Sequence, residues 1–240
     1  MKKRFILHVG FGKCATTFLQ KQVFKKLDDK QIIDFLNIPK NNIDLFKVRK
    51  KFIFCLSSLG ENHKKTKELK TIFINLLKER IQKSNKISIY SDETIHGWDP
   101  GTWETNLKIT SNLFKEIDKN VEIMITLRDP SDYLQSVFMH QSMKGHTILM
   151  EPNEYFLKKN VYKKIIKVFG SQAAMNIAFS IDQFSYKNFF DIYKKEFKTV
   201  HLIKFDEIIN LKFLTKINLV KKSLQVEIMS NMNLNKNNTN

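Results

Sequence analysis

A chain of 240 residues and 28.4 kDa can bury a sizeable core unaided, and its 42% hydrophobic and 12% aromatic content, with only 7 Gly and 4 Pro, excludes disordered, collagen-like and Pro-rich architectures. Two cysteines, Cys14 and Cys55, exclude a disulfide framework, no Cys/His cluster has zinc-site spacing, and a reducing compartment, the cytoplasm, is the expectation. The net charge of +17 raises nucleic acid and anionic membranes as partners, but only four of the 41 basic residues are Arg, and the lysines are scattered as pairs along the whole chain in a pattern of codon bias rather than of one basic patch.

Met1–Val9 has a basic start and a short apolar run that His8, Gly10 and Lys13 interrupt before a signal-peptide core is reached, so it reads as a first strand. No run is long enough to span a membrane. After a glycine-containing loop, Thr16–Leu27 carries Phe18, Leu19, Val23, Phe24 and Leu27 at helical spacing. Ile43–Leu56 and Lys67–Ile81 read as two amphipathic helices with a loop, Ser57–His63, between them. Lys86–Ser91 is a strand, Asp92–Gly101 a polar loop, and a helix follows to Ile117. Val121–Leu127 is a buried strand with Pro130 placed to open the next helix, which runs to about Met143. Tyr186–Phe197 is a helix and Thr199–Phe205 the last strand. Alternating strands and helices predict an α/β fold, a mostly parallel sheet flanked by helices. No repeat or linker divides the chain, so residues 1–230 are expected to form one domain and Asn231–Asn240, six of whose ten residues are Asn, a flexible tail.

Two of the seven glycines fall in His8-Val9-Gly10-Phe11-Gly12-Lys13-Cys14-Ala15-Thr16-Thr17, between the first strand and the first helix. Such a turn leaves backbone N–H groups at the positive end of a helix, and Lys13 adds a full charge, so it is suited to an anion; the plainer alternative is a turn with Thr16 as a helix cap. It is not a Walker A loop, which places Lys after Gly and before Ser/Thr. The segment from Phe5 to Gln20 resembles the 5′-phosphosulfate loop of the sulfotransferase family, roughly G-x-P-K-[ST]-G-T-T-x-L-Q, with Gly12 in place of the usual Pro and Ala15 in place of Gly.

A second segment, Arg128-Asp129-Pro130-Ser131-Asp132 with Ser136 beyond it, is similar to that family's 3′-phosphate motif. Arg128 offers a planar fork of donors, although an ion pair with Asp129 or Asp132 would also account for it. A third, Ser91-Asp92-Glu93, looks like the S-x-E strand end of carbohydrate-type and bacterial members. The resemblance implies that Glu93, or His96 three residues on, is the general base, against the plainer possibility that Glu93 caps a turn. His8 reads as a satisfied core histidine, and Trp98 and Trp103 as either stacking platforms or packing lids. The C-terminal signature of the cytosolic branch is absent.

The resemblance implies a P-loop-NTPase-like sulfotransferase fold and transfer from 3′-phosphoadenosine 5′-phosphosulfate, leaving adenosine 3′,5′-bisphosphate, to a hydroxyl or amine acceptor such as a glycan or glycolipid. Gly12, Lys13, Cys14, Ala15, Thr16, Thr17, Arg128 and Ser136 would hold the cofactor, Lys13 and Glu93 or His96 would act in catalysis, and no metal is required. Peripheral contact with an anionic membrane fits the charge; a nucleic-acid partner is not expected. The alternatives are a P-loop nucleotide kinase or other NTP-dependent enzyme, a basic nucleic-acid-binding protein, and a nucleotide-binding relative without catalysis.

Overall fold

The computed structural model describes residues 3–11, 13–39, 44–93, 95, 103–143, 151–157, 181, 184–225 and 228. Five strands, β1 (Phe5–Gly10), β2 (Ile33–Phe35), β3 (Ile87–Ser91), β4 (Glu122–Leu127) and β5 (Thr199–Lys204), form one sheet in the order β2-β3-β1-β4-β5, parallel at every pairing. Parallel strands demand crossovers, and the intervening helices supply them. They are α1 (Thr16–Phe18), which runs through a π-helical stretch (Leu19–Phe24) into α2 (Lys25–Asp29), then α3 (Leu45–Leu59), α4 (Lys64–Lys83), α5 (Trp103–Ile117), α6 (Pro130–Met143), α7 (Pro152–Leu157) and α8 (Tyr186–Glu196).

β1 lies in the middle, buried along its whole length, and its alternation serves two cores. Phe5, Leu7 and Val9 join Ile123, Ile125 and Tyr90 against side chains of α3, α4, α5, α6 and α8. Ile6 joins Ile89, Met124 and Ile203 against Leu19, Val23, Phe24 and Leu27 and the short helices Phe205–Ile209 and Phe213–Lys216 on the other face. The chain leaves β1 for β2 and β3 on one side and then crosses to β4 and β5 on the other, so the ends of β1, β3 and β4 flank a topological switch point, where open α/β sheets hold ligands.

Most expected elements are present, with shifted ends. The loop expected at Ser57–His63 is shorter, because α3 continues to Leu59 before Gly60 turns at φ 81, and α4 begins at Lys64, where His63 Nδ1 accepts from the Lys65 amide at 3.2 Å. β2 has no periodic signal in the sequence because it is three residues long. Distant groups hold it instead: Asp28 Oδ1 accepts from the Phe35 amide at 2.9 Å, and Arg80 of α4 donates to the carbonyls of Leu36 (2.8 Å), Ile38 (2.7 Å) and Phe35 (3.1 Å) and to Asp34 (3.3 Å). Among the described residues no helix is long and apolar enough to cross a membrane.

The opposite, N-terminal edge of the sheet is fastened by charge. Arg4 forks onto Glu122 with two contacts of 2.6 Å and donates to the Ile217 and Asn218 carbonyls at 3.0 and 3.2 Å, and His201 Nε2 lies 2.8 Å from Glu122. Burial opposes ionisation of Glu122, yet the hydrogen bonds and charges of Arg4 and His201 outweigh it and hold the carboxyl down at about 2, below its ordinary 4.5. A depressed carboxylate stabilises the fold above its unfolded pKa and loses that contribution as pH falls through the folded one. Glu122→Gln is therefore expected to lower Tm at neutral pH, and the gap to wild type should close between about pH 4.5 and 2; a gap that persists unchanged at pH 2 contradicts the assignment.

Candidate functional site

Gly10 ends β1 where there is no room for a side chain: a Cβ there would lie 2.4 Å from Thr126 Oγ1 and 2.5 Å from Thr16 Cγ2. The following residue, Phe11, buries its ring among Trp103 (5.0 Å between centroids), Tyr133 (5.5 Å), Tyr186 (5.2 Å) and Phe189 (4.5 Å), which anchors the loop to α5, α6 and α8. The Cys14 amide then closes a turn onto the Phe11 carbonyl at 3.1 Å, while Lys13 (φ 73) and Ala15 (φ 60) adopt left-handed backbone. Leu19 N–H donates to the Ala15 carbonyl at 2.9 Å, so the amides of Thr16, Thr17 and Phe18 precede the first intrahelical bond, and no side chain caps them. Lys13 is half-buried and makes no ion pair among the described residues. Free donors, a cation and a helix start together define an anion cradle.

β3 lies beside β1, His8 level with Ser91, and the next three residues are each clamped. Ser91 exchanges both backbone groups with the Asn37 amide (2.7 and 2.8 Å), and its hydroxyl meets Gln20 Nε2 at 2.9 Å and His8 Nδ1 at 2.7 Å. Asp92 donates its amide to the His8 carbonyl at 2.9 Å, and its carboxylate forms an ion pair with Arg49 of α3, 2.7 Å from Nε, with both side chains almost wholly buried. Removing either charge would strand the other, at a cost of about 3–5 kcal/mol. Glu93, the next residue, accepts a hydrogen bond from the Thr16 hydroxyl, so the expected base reaches directly into the loop. His8 is the core histidine expected from the sequence: fully buried, bonded to Ser91 and 3.3 Å from Thr126 Oγ1, and pushed down to about 3 by desolvation, it is neutral at working pH.

On the other side of β1, Arg128 follows β4. Its guanidinium sits over the Phe205 ring, 5.1 Å from the centroid, and Nε is buried without a hydrogen bond, 3.7 Å from Asp132. The ion pair considered from the sequence is thus present as a long contact to Asp132, whereas Asp129 is engaged elsewhere. Its Oδ1 accepts from Ser131 Oγ (2.6 Å) and from the amides of Ser131 (2.9 Å) and Asp132 (3.4 Å), capping α6 and holding its own carboxyl below the usual range. Cys14 lies between the two sides: burial pushes its thiol up to about 12, the Arg128 amide and charge partly offset this, and Glu93 adds to it. Among the described residues no three His, Cys, Asp or Glu side chains converge as a metal site would require.

Of the residues picked from the sequence, Lys13, Cys14, Ala15, Thr16, Thr17, Glu93 and Arg128 thus converge on one edge, with Ser136 half-buried on α6; Gly12, His96 and Trp98 lie outside the described residues. Trp103 is a packing residue, 3% exposed against Phe11, Phe184 and Phe189, and offers no stacking surface. Asn37, Arg49 and Thr126 went unnoticed because their partners are remote in sequence. Gln20 carried a signal, as part of the quoted loop segment, without a role attached.

No protein-family model matches the sequence, and no curated protein matches it. Among solved structures, a sulfotransferase from Alicyclobacillus acidocaldarius aligns over 87% of this chain and 76% of its own, at 16% sequence identity and a TM-score of 0.43. At that similarity the likeness assigns neither substrate nor site residues.

Gly10→Ala is expected to cost about 1–3 kcal/mol in denaturant unfolding through overpacking. Ala15→Gly should instead stabilise by up to ~1 kcal/mol, since a left-handed residue with a Cβ costs about 1–2 kcal/mol and glycine returns part of that gain as unfolded-state entropy. A destabilised Ala15→Gly variant would contradict the left-handed geometry.

Proposed function

We propose that the protein is a sulfotransferase that binds 3′-phosphoadenosine 5′-phosphosulfate at the loop after β1 and transfers its sulfuryl group to an acceptor hydroxyl or amine. The observation that carries this reading is the arrangement of three neighbouring strand ends: an uncapped helix start with Lys13 after the central β1, flanked on one side by an arginine with a buried, unbonded Nε after β4 and on the other by a carboxylate after β3 that reaches the loop. The donor set fits a ligand with two separated phosphate groups. Lys13 and the amides of Thr16 and Thr17 would hold the 5′ end, and Arg128 with Ser136 the 3′-phosphate.

The cofactor supplies the activated sulfuryl group and, as adenosine 3′,5′-bisphosphate, a stable leaving group. What the chain contributes is charge and position. Lys13 neutralises negative charge that grows on the 5′-phosphate side, from a loop already locked by Phe11 and Gly10, so little reorganisation accompanies the reaction. Glu93 takes the proton from the acceptor hydroxyl or amine; Ser91 and Asp92, fixed by four side-chain partners between them and by the His8 carbonyl, keep its backbone in place. A glycan or glycolipid acceptor follows from the S-x-E resemblance, and His96 is the alternative base.

The experiment is a metal-free thermal shift with adenosine 3′,5′-bisphosphate against ADP and ATP, on wild type, Lys13→Ala and Arg128→Ala. A ligand at 100 times its Kd should add about 2.7 kcal/mol. Stabilisation by the bisphosphate alone, weakened by both substitutions, is the expected result, and a response only to ATP with magnesium would point to a nucleotide kinase instead. In a sulfuryl-transfer assay, Lys13→Ala should cost roughly 100-fold or more in rate.

A further inference from the structure

The hydrogen bond between Thr16 and Glu93 joins the cradle to the base, and it has a consequence for the order of events. A threonine hydroxyl has one proton to donate. Thr16 is 2% exposed, so water is no ready substitute partner, and its methyl group fills the space that a Cβ on Gly10 would take, 2.5 Å from where that atom would stand. The side chain therefore keeps its rotamer, and only the O–H bond can turn. In the structure that proton goes to Glu93 Oε2. A phosphate seated on the first helical turn would be a competing acceptor beside the same hydroxyl, and, being anionic, would repel the carboxylate that now holds it.

We propose that Thr16 is a two-position donor: it holds Glu93 against the loop when the loop is empty, and donates to the bound phosphate when it is filled, freeing Glu93 to turn towards the acceptor. This rests on the reading of the loop as a phosphate site. Thr16 acts here as a positioning residue for Glu93, and the exchange makes nucleotide the first ligand and acceptor the second. It needs no loop closure, only rotation about one C–O bond and a rotamer change at a half-buried glutamate. A carboxylate tethered in this way is withheld from solution chemistry until the cofactor is in place.

The test is calorimetric titration with adenosine 3′,5′-bisphosphate of wild type, Thr16→Val, Glu93→Ala and the double variant, each first checked by thermal melt. Glu93→Ala is expected to tighten binding roughly tenfold, the scale of one charge-assisted hydrogen bond that no longer has to be broken. Thr16→Val alone should change affinity little, because the donor lost to the ligand is matched by the bond no longer broken, but in the Glu93→Ala background it should weaken binding about tenfold. Thr16→Ser, which keeps the hydroxyl, should leave the effect of Glu93→Ala intact, and Thr16→Ala replaces the valine variant if that one does not fold. An effect of Glu93→Ala that is the same with and without the Thr16 hydroxyl is mere charge repulsion and overturns the exchange. Binding of the bisphosphate with no such coupling leaves the phosphate-loop reading standing, whereas no binding to wild type overturns both.

Discussion

Ser91 is the point through which the site is assembled. Its two backbone groups are taken by Asn37 and its hydroxyl by Gln20 and His8, so one residue ties together the loop after β2, the first helix and the central strand. His8 and Ser91 are fully buried and Gln20 and Asn37 partly so, and away from water a satisfied polar network is stiff and a broken one is costly. The neutral state of His8 is part of the same arrangement: a charged imidazole would need an acceptor at both ring nitrogens, whereas the neutral ring can accept on one side and donate on the other. With Gln20 donating to Ser91, the hydroxyl proton of Ser91 is available for His8, leaving the far nitrogen to face Thr126.

From that anchor the position of the chemistry follows. Parallel pairing sets Ser91 beside His8 and Thr126 beside Gly10, so the chain exits of β3, β1 and β4 open side by side at one edge of the sheet. The missing Cβ of Gly10 lets Thr126 and Thr16 close over the end of β1, which seats the first helix on the sheet. The π-helical stretch over Leu19–Phe24 follows at once; it retains Leu19, Val23 and Phe24 in the core while turning Gln20 towards Ser91.

Much of this was legible in the sequence. Short apolar and β-branched runs located β1, β3, β4 and β5, helical spacing of apolar residues located long helices such as α3 and α4, and Pro130 marked the start of α6 to the residue. The loop and the Arg128 segment stood out because each is a short, contiguous pattern with a chemical reason. What escaped was either too short to be periodic, as with β2, or depended on partners far apart in sequence. Asn37 and Ser91 are 54 residues apart, and no local rule joins them. The left-handed backbone at Ala15 was signalled only by the resemblance, whose pattern has Gly there; alanine by itself gives no hint of a conformation that favours glycine.

The four arginines hold a lesson about composition. In a chain where lysine predominates wherever a positive charge is wanted, arginine persists at positions 4, 49, 80 and 128. Arg4 grips a carboxylate with two nitrogens and two carbonyls besides; Arg80 gathers three carbonyls and a carboxylate; Arg49 carries its charge into a nearly dry interior; Arg128 sits over an aromatic ring. Each task requires a planar, multi-pronged and weakly hydrated cation, which an ammonium group is not. The few arginines thus map where geometry, rather than charge alone, is put to use, and three of them bear on the architecture while the fourth faces the cradle.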